Sequence, residues 1–315
     1  MNYALILDSV ACLPMAEVTR RKIEIIPLSI IIHGKKYIDT YQESTLIGLH
    51  KSGLINVNTK AKTISSTPAE IQNYLLKDIV PKYDVAVCQT LGMAYSPIYE
   101  SYRDVTFKVA QQAHSVREKL GINRPFQMTC MSSSALAAGQ GLLAVYSDDL
   151  MRSGVSYNKV KVQIEDFKKH VKSFTIVKDP IYTRQHAKSK GNETVSYPVA
   201  WIADKLNFAP IGNNQNEEVR VVDVKHRGFE SSANRVLAYC CDRAEEGLKT
   251  PYINVSYGGD PAVVAAFSNF AKLEAICAAR SITLLLSPMT MGASINLGPG
   301  SLSIGIAPED QTTNP

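Results

Sequence analysis

Through the first half of this chain, apolar runs of five or six residues alternate with longer amphipathic stretches. That rhythm admits little besides strand–helix–strand units wound around a parallel sheet. Tyr3-Ala4-Leu5-Ile6-Leu7 opens as a buried strand and stops at Asp8-Ser9. Residues 23–33 read as one or two strands, broken at Pro27 and turned at Gly34. A helix is expected over 68–76, a strand over 85–90, a long helix over 97–120 stopped by Gly121, and a strand over 126–131. Ser132-Ser133-Ser134 then lead into a helix that runs to Arg152 and ends before Gly154, a residue suited to the left-handed position after a helix.

At 315 residues the chain exceeds a comfortable single core, so two domains are expected. The charged stretch 159–173 gives way to a strand at 174–177, which divides an N-terminal domain, 1–165, from a C-terminal one, 166–315. Residues 179–198 are polar without a strong period and read as loop or irregular elaboration. Further strands are expected over 219–224, 253–257, 283–286 and 301–306, with helices over 199–206, 230–244 and 261–279. The last helix starts at Asp260-Pro261, a cap followed by proline. It sets Val263, Phe267, Phe270 and Leu273 on one face.

A hydrophobic content of 45% with 20% charged residues describes an ordinary globular protein, and the net charge of +5 is modest. The basic clusters at 159–172 and 184–190 carry no interleaved aromatics. They read as a solvated helix face and a polar loop, not a nucleic-acid groove. The six cysteines show no CxxC pairing, and Cys88 and Cys130 fall inside apolar runs, where a thiol behaves as a small hydrophobe. This points to a reducing compartment. The first residues lack a basic leader pattern, and no segment reaches the ~18 apolar residues that span a bilayer. A cytoplasmic location is the expectation.

Chemistry enters at the strand ends. Ser65-Ser66-Thr67-Pro68 and Ser96-Pro97 each stand where an apolar strand gives way to a helix, and Thr67 with Glu70 makes a capping box. Such residues cap helices. A hydroxyl-fringed helix N-terminus also suits a carboxylate or phosphate, and both readings stand. Ser9 and the serines at 132–134 likewise follow parallel strands, where open α/β sheets place their ligands. The six histidines fit no metal-ligand spacing, and there is no GxSxG elbow, Walker motif or dinucleotide fingerprint. No catalytic residue, metal or cofactor is assigned. Gly139-Gln140-Gly141 reads as close helix–strand packing. Gly298-Pro299-Gly300 is a place where backbone can approach a ligand closely.

At these residues the sequence resembles the DegV family, bacterial fatty-acid-binding proteins of the FakB type. Asp8-Ser9 with Leu13-Pro14 resembles the opening DSxxDLP, with Cys12 in place of the second Asp. Ile26-Pro27-Leu28 with the segment from Gly34 to Asp39 resembles PL…GxxYxD, and Ser65-Ser66-Thr67-Pro68 stands for TSQP. Gly139-Gln140-Gly141 resembles the helix of DSxxxSxGxG, Gly258-Gly259-Asp260-Pro261 the GGDP step, and Leu297-Gly298-Pro299-Gly300 the HxGPG segment. LSGTY becomes Tyr95-Ser96-Pro97-Ile98-Tyr99, the second DS aspartate becomes Ser132, and the histidine before GPG becomes Asn296. A polar insertion around 188–194 replaces GGRI, and Arg227 matches the basic segment after the 219–224 strand.

The resemblance implies an α/β chain of two domains: an N-terminal α/β/α domain with a mainly parallel sheet and a C-terminal α+β domain with a mixed sheet. It implies a long-chain fatty acid clasped in an interdomain tunnel and presented to a dihydroxyacetone-kinase-like fatty acid kinase. The carrier itself performs no chemistry, and transient contact with a membrane surface is compatible with such a role. Carried over by position, the ligand residues are Ser65, Ser66, Ser96, Asn296, Arg227 and Ser9. Asn296 donates through its amide but cannot gain a proton. Two alternatives stand beside this reading: a carrier or sensor of another amphipathic carboxylic acid without a kinase, and a serine-dependent hydrolase. Against the last, no activating base is visible near any serine.

Overall fold

A computed structural model describes residues 2–56, 58–179, 182–183, 209–223 and 228–315. The alternation read from sequence builds a four-stranded parallel sheet from β1 (Tyr3–Asp8), β2 (Glu24–Ile26), β6 (Val85–Thr90) and β7 (Gln127–Ser132), in the order β2-β1-β6-β7. A small antiparallel sheet of β3 (Ser29–Ile32), β4 (Lys35–Ile38) and β5 (Ala61–Ile64) stands beside it, with β3 and β4 joined at His33-Gly34. Both turn residues have positive φ, the requirement of a tight two-residue hairpin.

The second half builds a mixed six-stranded sheet. Its strands are β8 (Lys172–Ile176), β9 (Ile211–Gln215), β10 (Glu218–Asp223), β11 (Tyr252–Tyr257), β12 (Thr283–Pro288) and β13 (Leu302–Ile306). They run in the order β10-β9-β8-β13-β11-β12, and only β11 and β12 pair in parallel. The chain thus forms two sheet-centred domains. The described helices are α1 (Met15–Arg21), α2 (Glu43–Lys51), α3 (Pro68–Tyr74), α4 (Ile98–Lys119), α5 (Ala138–Arg152), α6 (Tyr157–Phe167), α7 (Phe229–Glu246), α8 (Ala262–Ala265), α9 (Ser268–Ala279) and α10 (Met291–Leu297). The helix expected over 199–206 and most of the polar stretch 179–198 lie outside the described residues.

One helix joins the halves. Every residue of α5 from Ala138 to Val145 is buried, the mark of a helix covered on all sides. Leu142, Leu143 and Val145 pack with Leu5, Leu7, Val87 and Met131 of the parallel sheet and with Leu285 of the mixed one. On the side facing the mixed sheet, Gly139 and Gly141 remove the side chains altogether. A Cβ on Gly139 would sit 2.5 Å from the Ser173 hydroxyl, and one on Gly141 would overlap the Cys12 carbonyl and lie 2.5 Å from Asn254 Nδ2. Asn254 Nδ2 fills this contact by donating to the carbonyls of Cys12 (2.8 Å) and Ala138 (2.9 Å). At the other end of α5, the buried Arg21 guanidinium donates to Asp148 (2.8 Å), Asp149 (2.5 Å) and Tyr252 Oη (3.0 Å), tying α1 and α5 to β11.

Two expectations change. The helix expected over 261–279 is broken, because Phe267 takes an extended conformation and N-caps α9. The break turns Val263 outward, 45% exposed, and Val264 takes its place in the core with Phe267, Phe270 and Leu273. Gly298-Pro299-Gly300 packs on protein rather than lying open: Gly300 N donates to Gly258 O (2.7 Å) and Gly258 N to Ser301 O (2.8 Å). The glycine pair at 258–259 and the turn at 298–300 therefore brace each other.

The glycine contact is testable by unfolding in urea. Gly141→Ala is expected to lose ~3 kcal/mol, the upper end for overpacking, because the obstructing atoms are backbone. Gly48→Ala on the exposed face of α2, where an added Cβ meets nothing within 4 Å, should instead gain up to about 1 kcal/mol.

Candidate functional site

In the order β2-β1-β6-β7, successive strands leave β1 in opposite directions, so the carboxyl ends of β1 and β6 flank a topological switch point. Asp8 closes the floor of that crevice. Its carboxylate is fully buried and accepts from Leu91 N (2.6 Å), Val10 N (3.0 Å) and Gln140 Nε2 (3.2 Å). Burial pushes its pKa up, against the pull of these three donors.

Helices α3 and α4 run side by side above this floor. Ser65, just before α3, lies against Tyr102 near the start of α4, and Gln72 bonds Gln112 further along (3.3 Å). Both N-termini therefore open at the same end. The capping box read from sequence is formed: Thr67 Oγ1 accepts from Glu70 N (3.3 Å), and Glu70 Oε2 accepts from Thr67 N (2.7 Å). Ser65 Oγ donates to Ser66 O (3.2 Å), and Ser96 Oγ accepts from Ile98 N (3.4 Å) at the entry to α4. Ser65, Ser66 and Ser96 are all half-buried.

Tyr102 is the residue sequence reading missed. The residue is 1% exposed, and among the described residues its hydroxyl makes no well-aligned hydrogen bond. Burial drives the phenol pKa well up, and the charges of Cys88 and Asp8 add to it while the Ser65 hydroxyl against it opposes. The phenol is thus a buried donor whose nearest polar neighbour is Ser65. An aromatic at helical spacing reads as core from sequence, and only burial of its hydroxyl marks it out.

The remaining nominated residues have other surroundings. Ser9 is fully buried; its hydroxyl donates to Asp39 Oδ2 (2.8 Å) and accepts from Leu28 N (3.0 Å). Asp39 in turn accepts from Met291 N and Gly292 N (3.0 Å each), capping the first turn of α10 from across the domain junction. Gly292 permits this approach, since a Cβ there would stand 2.7 Å from the carboxylate. Ser9 is in this way a strut between domains. Asn296 is half-buried in the last turn of α10, with Nδ2 donating to Gly292 O (2.7 Å). Arg227 lies outside the described residues. Ser132 and Ser134, after β7, hold a carboxylate of the chain itself, that of Glu217 in the β9–β10 hairpin.

No helix among the described residues is long and apolar enough to cross a membrane, and no cluster of acidic, histidine or cysteine side chains there suits a metal. All six cysteines are free thiols.

A family model described as an uncharacterised protein of the DegV family matches residues 2–309. A DegV domain-containing protein of Xanthomonas axonopodis pv. citri is 26% identical over 309 residues, covering 98% of both chains. In fold, the chain is similar to DegV, a fatty acid binding protein from Bacillus subtilis, at a TM-score of 0.74 and 19% identity over 98% of this chain and 100% of that one. It is also similar to a DegV family protein from Thermus thermophilus whose structure reports fatty acid binding, at a TM-score of 0.69 and 17% identity over 98% and 100% of the two chains.

The buried cap at Asp39 has a pH signature. Burial raises its pKa from 3.8 to about 6. The folded state therefore binds the proton more tightly than the unfolded one, so the stability it contributes is full below pH ~4 and is lost as pH rises through about 6. Relative to Asp39→Asn, the wild type should lose roughly 2.4 kcal/mol of unfolding free energy between pH 4 and 7, read from urea titrations at four pH values.

Proposed function

The chain belongs to the DegV family, and on that premise we propose that it binds a long-chain fatty acid and performs no chemistry on it. The carboxylate is held at the crevice by Ser65, Ser66, Ser96 and Tyr102, with the amide of Asn296 beside them. The acyl chain lies between the two domains, 1–165 and 166–315. The observation that supports this reading is the Tyr102 hydroxyl, buried beside the Ser65 hydroxyl in a contact that falls short of a well-aligned hydrogen bond. Buried donors are nearly always matched, and a ligand carboxylate supplies a well-aligned acceptor. The apolar layer nearby supports the same reading: Ile71, Leu75, Ile98 and Leu28 share one hydrophobic cluster with Met289 and Leu297. The Bacillus subtilis and Thermus thermophilus proteins of this fold carry the same ligand class by description.

The energetics suit a carrier. Burying a methylene contributes ~0.8 kcal/mol, so about 15 of them give on the order of 12 kcal/mol before association costs remove several. Hydrogen bonds to the charged end, ~1.5–3 kcal/mol each, offset its desolvation and fix which end faces the mouth. A mouth-facing carboxylate is the end a kinase needs. We read the partner as a dihydroxyacetone-kinase-like fatty acid kinase, with transient contact to a membrane surface at loading.

Lipid extraction and mass analysis of protein purified from a bacterial host should yield a fatty acid in stoichiometric amount. A clean extract, with no thermal stabilisation by palmitate, overturns the reading. Tyr102→Phe should weaken palmitate binding about tenfold while leaving the unliganded protein as stable or more so. Acyl phosphate formed with a fatty acid kinase and ATP supports the partner, and its absence with lipid bound leaves a carrier or sensor without one.

A further inference from the structure

The β9–β10 hairpin belongs to the second domain, yet its tip is spent on the first. Glu217 Oε1 accepts from Ser132 Oγ at 2.5 Å and from Ser134 Oγ at 3.0 Å, and Oε2 accepts from Ala94 N at 3.0 Å. These donors come from the loop after β7 and the loop after β6, the two strand ends on one side of the switch point. The receiving loops are built for the purpose. Ser132 Oγ is itself the acceptor for Met93 N and Ser134 N, 3.2 Å each, so its own proton is left to point outward. Ser134 holds φ +55 within this loop, and Ser132 and Ser134 are both buried. Lys168 Nζ, ion-paired with Glu165, also donates to the Ser132 carbonyl at 3.4 Å and so fixes this loop. Two residues along the hairpin, Val219 is partly buried against the core of the first domain.

We propose that this cradle of Ser132 Oγ, Ser134 Oγ and Ala94 N is a carboxylate-binding site in its own right, with Glu217 as its resident occupant. It takes a free carboxylate when Glu217 withdraws. Three donors converge on two oxygens with the spacing of charge-assisted bonds, and nothing in that geometry requires the carboxylate to be tethered. The hairpin is the movable partner: among the described residues β10 pairs with β9 alone, and the turn is two residues long. Where the chain carries a fatty acid, a clause that rests on the function proposed above, Glu217 and the ligand carboxylate compete for neighbouring donors in one crevice, and hairpin withdrawal gates loading.

Chemical rescue tests the cradle without any fatty acid. Glu217→Ala should melt several degrees below wild type, and sodium acetate at constant ionic strength should restore the midpoint saturably, where sodium chloride does not. The same acetate should do nothing for wild type or for Glu217→Ala combined with Ser132→Ala and Ser134→Ala. No acetate-specific recovery in the single variant, or equal recovery in all three proteins, overturns the proposal. Should Glu217→Ala not fold, Glu217→Gln keeps the hairpin's shape and replaces the charged occupant with a neutral one. It should bind palmitate roughly tenfold more tightly than wild type, and an unchanged or weaker affinity overturns the gate. Acetate rescue with no palmitate binding by any variant leaves the cradle standing and removes the fatty-acid reading. Palmitate binding without rescue does the reverse.

Discussion

The contact between α5 and the mixed sheet is the constraint on which the rest of the molecule depends. A helix can approach a sheet this closely only where both surrender their side chains, and Gly139, Gly141 and Gly305 do so together; a Cβ on Gly305 would lie 2.6 Å from Ala138 O. With the backbones in contact, Asn254 can reach two carbonyls belonging to different segments of the first domain. The same helix, buried all round, carries Leu142, Leu143 and Val145 into the core under the parallel sheet. The relative placement of the two sheets is thus set by one shared helix, and the crevice at the strand ends inherits its shape from that placement.

Three of the chain's own carboxylates sit at or near this crevice, each gripped by neutral donors from a neighbouring segment. Asp8 takes backbone N–H groups from its own loop and from the loop after β6. Asp39 takes two from the start of α10 and the Ser9 hydroxyl. Glu217 takes two serines and the Ala94 amide. A carboxylate removed from water must recover its hydrogen bonds or lose its charge, so each of these links is selective for its place. Tyr102 lies buried beside Ser65 in the same region, without a well-aligned hydrogen bond among the described residues.

Much of this was legible in the sequence where the signal was local. Strand ends at 85–90, the caps at Thr67 and Gly154, the break at Pro27 and the packing role of Gly139 and Gly141 follow from residue type and period, and the structure agrees. The short elements β4 and α10 escaped: the four residues of β4 carry no period, and the seven of α10 are nearly all buried and so show no polar face. Val263 failed for a related reason: helical spacing assumes an unbroken helix, and Phe267 breaks it. Among site residues, Ser65, Ser66 and Ser96 do stand at adjacent helix starts. Ser9 looked equivalent by position, but its neighbours Asp39 and Leu28 come from 30 and 19 residues away.

Glu217 is the sharpest case of what a linear reading cannot hold. Ser132 stands where the resembled pattern carries an aspartate, and by sequence the site has simply lost an acid. In the fold, a carboxylate returns to the same strand end from 85 residues further along, on a hairpin of the other domain. Strain gathers at that meeting point. Of the seven non-glycine residues with positive φ among the described ones, four lie here: Ser134 and Ala137 in the loop after β7, and Asn216 and Glu217 in the turn. Such conformations cost of order 1–3 kcal/mol each and persist only where surrounding contacts over-determine them. Hydrogen bonds from Ser132, Ser134 and Ala94 fix the hairpin tip at this point, whereas α5 is held by backbone against backbone.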